Sequence, residues 1–320
     1  MEKVAFIYSG QGAQHTKMGW DILKAYPEYN ELFSRAEKVL GYDLKEIIYE
    51  GGKTLDDTRF TQPALFVVEV MLTKILQKAG IQPSVAAGLS LGEYSALVGA
   101  KKLSFIEGLA LVARRGQVMS EAVQCLHEET GMAAIIGAQP ADIISICRTV
   151  SNADLGFVGP TNFNSPMQTV ISGTMPAMAA VEVKLKDKVR CKVIPLGVSG
   201  PFHTPLMAKA AQKFDTAVQE THFSDSAIPV YSNVTGKIHE ASSIKAHLVQ
   251  QMYQPVQWYD IIKAMHQVGI NTFVEVGPGK VLSRLVKQAI PKSCRFQTGK
   301  LTSLEETIAH FQEADSYRAK

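Results

Sequence analysis

Gly88-Leu89-Ser90-Leu91-Gly92 sets one serine between two glycines in the G-x-S-x-G pattern. A run of small residues, Ala86-Ala87-Gly88, precedes Ser90, and a helix-forming run from Glu93 to Val98 follows it. This is the order of a nucleophile elbow, a sharp strand-to-helix turn that lifts a hydroxyl out of the chain for attack on an acyl carbon. The amino end of the new helix supplies unpaired N–H groups and the positive end of a dipole, both suited to a developing oxyanion. The same letters also fit a serine that only caps a helix. A serine hydroxyl is a weak nucleophile without a base. His203 is the candidate, because Ser199-Gly200-Pro201-Phe202-His203-Thr204-Pro205 links a strand to an amphipathic helix carrying Met207, Ala210, Phe214, Ala217 and Val218. Its alternative reading is a satisfied histidine at a helix start. His15 follows the loop after the first strand, whereas His127, His222, His239, His247, His266 and His310 sit in polar or helical surroundings, mostly as expected surface residues. An ordinary hydrolase triad runs Ser, then Asp or Glu, then a late His. Here a long stretch follows His203, and no carboxylate between it and Ser90 stands out.

Gly10-Gln11-Gly12-Ala13-Gln14 directly follows the first strand, where a parallel sheet puts its ligand-facing loops. The G-x-G-x-x-G spacing fails at His15, so dinucleotide binding is a weak reading. A plain tight turn is one alternative, and a second oxyanion donor aimed at Ser90 is the other. Gly277-Pro278-Gly279-Lys280 lacks the Ser or Thr of a phosphate-binding P-loop and reads as a turn opening a helix. Arg114-Arg115-Gly116-Gln117 lies in a helical run with Leu109, Leu111, Val112 and Met119. Adjacent helix positions point about 100° apart, so at most one of the two arginines faces inward. A buried guanidinium requires an anion. That anion is either a protein carboxylate or the carboxylate of a substrate, which the planar fork of arginine grips at both oxygens.

Short apolar runs alternate with segments of helical period, the pattern of an α/β protein. Strands are expected at Val4–Tyr8, Val85–Gly88, Ile228–Ser232 and Thr272–Val276. Helices are expected from a Thr61 cap through Leu65, Val68, Leu72, Ile75 and Leu76, from about Leu91, and from Ser104 to about Val123. Between Met132 and Pro195 the order changes to strand Met132–Ile136, helix Pro140–Val150, strands Phe157–Phe163 and Gln168–Ser172, helix Pro176–Lys188 and extended Arg190–Ile194. That β-α-β-β-α-β order is the ferredoxin-like unit. It predicts a small subdomain at 127–197 inserted into a large domain made of 1–126 and 198–320.

The chain has 320 residues, 46% of them apolar and 20% charged, enough to bury a sizeable core. Lys and Arg exceed Asp and Glu by 33 to 30, and the net charge of +3 is too mild to argue for nucleic acid, while it would not repel an acidic partner. Cys125, Cys147, Cys191 and Cys294 form no C-x-x-C pair, which favours a reducing compartment over a disulfide framework. Glu2 and Lys3 precede only five apolar residues, unlike a secretory leader. No apolar run approaches the roughly 18 residues of a membrane span. The expectation is a cytoplasmic protein with no membrane contact.

With these segments placed, the sequence resembles the malonyl-CoA:acyl carrier protein transacylases of type II fatty acid synthesis, and is similar to the acyltransferases of polyketide synthases. The resemblance runs through G-Q-G-A-Q, T-Q-P-A-L-F, G-L-S-L-G-E, R-R-G-Q, N-F-N-S-P, G-P-F-H-T, Y-S-N-V-T-G, Q-M-Y-Q-P-V-Q-W and E-V-G-P-G. It implies an α/β-hydrolase-like core with a parallel sheet plus the inserted ferredoxin-like subdomain. It implies that Ser90 carries the acyl group, His203 is the general base and Arg115 binds the malonyl carboxylate. The amides of Gln11 and Leu91 become the oxyanion hole, and the carbonyl of Gln251 orients the histidine. Gln62, Asn162 and Phe202 line the site, with Phe202 crowding an α-branched acyl group. No metal or bound cofactor is implied. The substrate is malonyl-CoA and the partner an acidic, phosphopantetheinylated acyl carrier protein. Leu89 stands where the family usually has histidine. A thioester hydrolase that proofreads carrier proteins and a non-catalytic carrier-protein scaffold are the competing readings.

Overall fold

A computed structural model of the chain describes residues 3–151, 153, 155–197 and 200–318. Glu2, Ser199 and position 198, the expected boundary of the large domain, lie outside the described residues. The described strands are β1 (Val4–Tyr8), β2 (Val85–Gly88), β3 (Thr130–Ile136), β4 (Val158–Ser165), β5 (Gln168–Thr174), β6 (Lys192–Pro195), β7 (Thr272–Val276) and β8 (Cys294–Gln297). They form a mixed α/β chain with one parallel sheet, ordered β2-β1-β7-β8, and a separate antiparallel sheet, ordered β4-β5-β3-β6. The chain divides into two compact units, Met1–Gly116 with Thr221–Tyr231 and Met265–Lys320, and Gln117–Glu220 with Ser232–Ala264.

The first unit holds the parallel sheet. Every residue of β1 is buried, as an apolar strand flanked on both sides by parallel neighbours requires. The loops after β1 and β2 emerge side by side, since Tyr8 pairs with Gly88. This is the edge at which open parallel sheets present their ligand loops. The Thr58–Lys78 helix is buried along most of its length. It begins three residues before the expected Thr61 cap, because the Asp57 carboxylate accepts from the Arg59 amide at 2.9 Å. Ser104 caps the Phe105–Gln124 helix as its spacing suggests, accepting from the Glu107 amide at 3.2 Å. The strand expected at Ile228–Ser232 shrinks to a bridge between Val230 and Ala86. Pro229, without an N–H, can only accept there, and does so from Ala86 at 2.9 Å. β8 takes the edge beside β7 and was not expected.

In the second unit, β3 to β6 and the helices Pro140–Ser151 and Met175–Lys188 follow the β-α-β-β-α-β order read from the sequence. Ile135, Val158 and Ile171 from the sheet pack against Ile143, Ile146, Val181 and Leu185 from the two helices.

The elbow rests on glycines. A Cβ on Gly88 would collide with the backbone of Gly92 and Glu93, and one on Gly92 would approach Ser9 O to 2.6 Å. A Cβ on Gly10 would lie 2.6 Å from Leu89 O, so the first loop also needs glycine to lie against the elbow. Gly41, by contrast, has φ +79° and nothing within 4 Å of an added Cβ. We expect Gly88→Ala to cost at least about 3 kcal/mol of unfolding free energy, since backbone cannot yield. Gly41→Ala should cost only about 1 kcal/mol of backbone strain. Urea unfolding of the two variants measures the difference.

Candidate active site

Ser90 sits between β2 and the Gly92–Gly99 helix with φ +54°, a left-handed conformation that non-glycine residues adopt at a cost of about 1–2 kcal/mol. Hydrogen bonds from Gly92 N to Leu89 O (3.0 Å), Glu93 N to Ser90 O (3.2 Å) and Tyr94 N to Leu91 O (3.0 Å) close the turn and start the helix. The strand-turn-helix order seen in the sequence is therefore present, with the strain that holds a hydroxyl away from its own backbone. Among the described residues no hydrogen bond uses the amide of Leu91 or the amide of Gln11. Leu91 is fully buried, so its N–H is one of the unsatisfied donors that every helix leaves at its first turn. Gln11 lies in the tight turn after β1, where Ala13 N bonds Gly10 O at 3.2 Å.

Of the two neighbouring arginines, Arg115 turns inward and is 1% exposed, while Arg114 is half-buried. Arg115 Nη2 donates to Ser90 Oγ at 3.0 Å and Nη1 donates to Gln62 Oε1 at 2.8 Å. Its Cζ lies 5.6 Å from the centre of the Tyr94 ring, a cation–π distance. Burial pushes the guanidinium pKa down, against the opposing effects of Tyr94 and Glu93. An arginine stays charged regardless. Gln62, fully buried, donates from Nε2 to Thr58 Oγ1 at 3.0 Å, and Thr58 donates to Gln11 Oε1 at 2.6 Å. One hydrogen-bonded chain thus runs from the guanidinium to the loop after β1. Gly116 makes this approach possible, because a Cβ there would come within 2.6 Å of Thr58 O.

In the second unit His203 is 4% exposed and has φ +61°. Its Nδ1 lies 2.6 Å from Gln251 O, and its amide donates to Met252 O at 3.1 Å. A carbonyl can only accept, so Nδ1 carries the proton and a neutral ring keeps its lone pair on Nε2. Gln251 caps the carboxyl end of the Ile244–Gln250 helix, where carbonyls lack helical partners and the dipole favours a cation. A backbone oxygen, and not a carboxylate, thus receives the ring N–H. The 251–256 segment is tied to β4 by Val256 N to Thr161 O (2.8 Å) and Phe163 N to Val256 O (2.9 Å), at a bulge that includes Asn162. Asn162 Oδ1 accepts from Thr161 Oγ1 at 3.0 Å. Phe202 is buried, and Gly200 leaves space for its ring, since an added Cβ would lie 2.7 Å from it. Ser90, Arg115, Gln62 and Gln11 come together in the first unit; His203, Gln251, Phe202 and Asn162 belong to the second.

His15 is exposed, and its ring Nδ1 lies 3.0 Å from Thr16 O. His239 departs from the expected surface placement, being buried with Nδ1 3.2 Å from His247 Nδ1. Among the described residues no group of three or more His, Cys, Asp or Glu side chains is arranged to hold a metal ion, and no helix is long and apolar enough to cross a membrane. Sequence reasoning missed Thr58 and Tyr94. Thr58 stands one helical turn before Gln62 in the Thr58–Lys78 helix, and Tyr94 lies in the first turn of the helix that follows Ser90. The geometry of His203 makes a direct prediction. In a 15N spectrum at a pH where the ring is neutral, Nδ1 should appear protonated and Nε2 bare; the opposite tautomer would break the bond to Gln251 O.

A model of the acyl transferase domain matches residues 5–309 of the chain. The malonyl CoA-acyl carrier protein transacylase of Escherichia coli strain K12 is 40% identical over 91% of this chain and 94% of its own. The crystal structure of the transacylase of that name from Clostridium perfringens superposes with TM-score 0.93 at 33% identity, covering 99% of this chain and 100% of the other. A malonyl-transacylase solved in complex with its type II PKS acyl-carrier protein gives 0.91 at 34% identity, over 97% of this chain and 100% of that one. The chain therefore belongs to the malonyl CoA-acyl carrier protein transacylase family and is an acyltransferase.

Proposed function

We propose that the protein transfers the malonyl group from malonyl-CoA to the phosphopantetheine thiol of an acidic acyl carrier protein, in fatty acid biosynthesis, by a ping-pong mechanism through a malonyl-Ser90 ester. The observation that carries the reading is the buried Arg115 guanidinium 3.0 Å from Ser90 Oγ. A fixed cation beside the nucleophile favours an acyl group that ends in a carboxylate. The names of the relatives support the same substrate and acceptor.

In the first half-reaction, His203 Nε2 removes the Ser90 proton as Oγ attacks the thioester carbonyl, help that is typically worth about 10²–10⁴-fold. The amides of Gln11 and Leu91 receive the tetrahedral oxyanion, and losing one such donor typically costs about 2.7–4 kcal/mol. Collapse breaks the carbon–sulfur bond, and the departing thiolate of coenzyme A takes the proton back from His203. In the second half-reaction the carrier-protein thiol gives its proton to His203 and attacks the Ser90 ester, and Ser90 Oγ leaves with that proton. Gln251 O steadies the imidazolium in both. Gln62 and Asn162 line the site, and Phe202 crowds an α-branched acyl group. No bound cofactor or metal takes part. In this reading the parallel sheet with its serine elbow is an α/β-hydrolase-like core, and 127–197 is a ferredoxin-like subdomain inserted between 1–126 and 198–320.

Arg115→Ala tests the assignment. A charge-assisted bond contributes roughly 1.5–3 kcal/mol, so malonyl transfer should fall by about 10–100-fold while activity toward acetyl-CoA rises relative to it. An unchanged preference for malonyl would remove Arg115 from the site. Rapid mixing of the acyl-enzyme with carrier protein should release malonyl to the thiol much faster than to water; equal rates would indicate a hydrolase.

A further inference from the structure

The Thr58–Lys78 helix holds more than the arginine. Successive side chains at the end of β1 bond to it: the Tyr8 hydroxyl with the Thr73 hydroxyl (3.1 Å), Ser9 Oγ donating to Glu69 Oε1 (2.6 Å), and Gln11 Oε1 accepting from Thr58 Oγ1 (2.6 Å). Glu69 is fully buried, and its second oxygen, Oε2, makes no hydrogen bond. The loop after β7 folds closely over it. Gly277 there has φ +138°, and a Cβ would lie 2.8 Å from Glu69 Oε1 and collide with Ser9 Oγ. The E-V-G-P-G motif thus shapes a closed compartment around a carboxyl group. The titratable groups acting on Glu69 are Glu275 of β7 and Tyr8 of β1, and the Gly92–Gly99 helix contributes the Ser95 hydroxyl. Glu275 is itself engaged, accepting from the amides of Leu282 (2.9 Å) and Ser283 (2.8 Å). None of these neighbours is a cation.

We propose that Glu69 is a positioning residue that works uncharged: as a neutral acid it holds Ser9, and through Ser9 it sets the Gln11 amide for the oxyanion. A carboxylate at that point would be buried without a counter-ion and would oppose the negative charge that the loop is built to receive. Burial raises the Glu69 carboxyl from 4.5 to about 8, with Glu275 adding to the rise and the Ser9 and Ser95 hydroxyls opposing it. Between 4.5 and about 8 the unfolded chain has lost this proton and the folded protein keeps it. The stability it contributes is therefore full below 4.5 and declines as pH rises toward about 8. Above about 8 the folded protein ionises as well, and transfer falls. This inference rests on the acyl-transfer reading above.

The test is the pH profile of kcat and of kcat/KM for malonyl transfer, from about pH 6 to about pH 10, in the unaltered protein, Glu69→Gln and Ser9→Ala, with folding checked by circular dichroism. In the unaltered protein the rate should drop about tenfold per pH unit above about 8, as one lost proton dictates. Glu69→Gln cannot ionise and should move that alkaline limb up by about one pH unit or more. Ser9→Ala should lower kcat about tenfold with little change in KM for malonyl-CoA, because the displaced amide acts on the transition state. Superimposable alkaline limbs for the unaltered protein and Glu69→Gln would overturn the proposal, as would an unchanged kcat in Ser9→Ala. If Glu69→Gln does not fold, Ser9→Ala decides alone. Absence of malonyl transfer in the unaltered protein would instead overturn the reading on which the inference rests.

Discussion

A guanidinium cannot be taken from water into a protein interior without something to receive its five donors. Arg115 is almost completely buried, and the groups around it include a glutamine, a serine hydroxyl, the face of a tyrosine ring and the buried Glu93 carboxylate. The glutamine and the serine orient the fork beside the elbow. Much of the first unit follows from that arrangement. Gly116 lets one helix approach another, Gln62 fixes the guanidinium plane, and Thr58 passes the restraint on to Gln11. Guanidinium, serine hydroxyl and the loop after β1 are thereby tied into one polar chain, whose buried links would be costly to leave unpaired.

Backbone strain marks the same residues. Lys17, Ser90, Lys101 and His203 are the described non-glycine residues with positive φ, and two of these four carry the proposed chemistry. In both cases the surroundings over-determine the conformation. Ser90 is pinned between β2 and the helix that starts at Gly92, with glycines at the two points where a side chain would collide. His203 is pinned by its amide on Met252 O and its ring on Gln251 O. Such strain persists where a side chain must point in one direction only.

Features with a side-chain signature were legible in the sequence. The G-x-S-x-G elbow announced itself through its strand-turn-helix setting, and the helix period said that at most one of Arg114 and Arg115 faces inward, the choice of Arg115 coming from the family resemblance. The β-α-β-β-α-β order was clear because its two helices, and its first three strands of seven or eight residues each, were long enough to show their own periods. Features made by backbone were not. Nothing in the letters Gln-Met says that the Gln251 carbonyl will meet an imidazole; only the family resemblance supplied it. β8 is four residues at a half-exposed edge, with too little pattern to read. The reading of Ile228–Ser232 as a strand followed its apolar letters and overlooked the missing donor at Pro229. Glu69 sat within an apolar stripe, where a single carboxyl gives no sign that it meets Ser9.

The claim that the buried cation chooses what the serine carries has a direct measurement. The protein is mixed briefly with equal amounts of malonyl-CoA and acetyl-CoA, quenched, weighed intact and mapped by peptide mass. A malonyl ester on Ser90 should exceed any acetyl ester by at least about tenfold, the selectivity of one charge-assisted bond. Equal labelling by the two acyl groups, or a malonyl group found on a residue other than Ser90, would contradict the account.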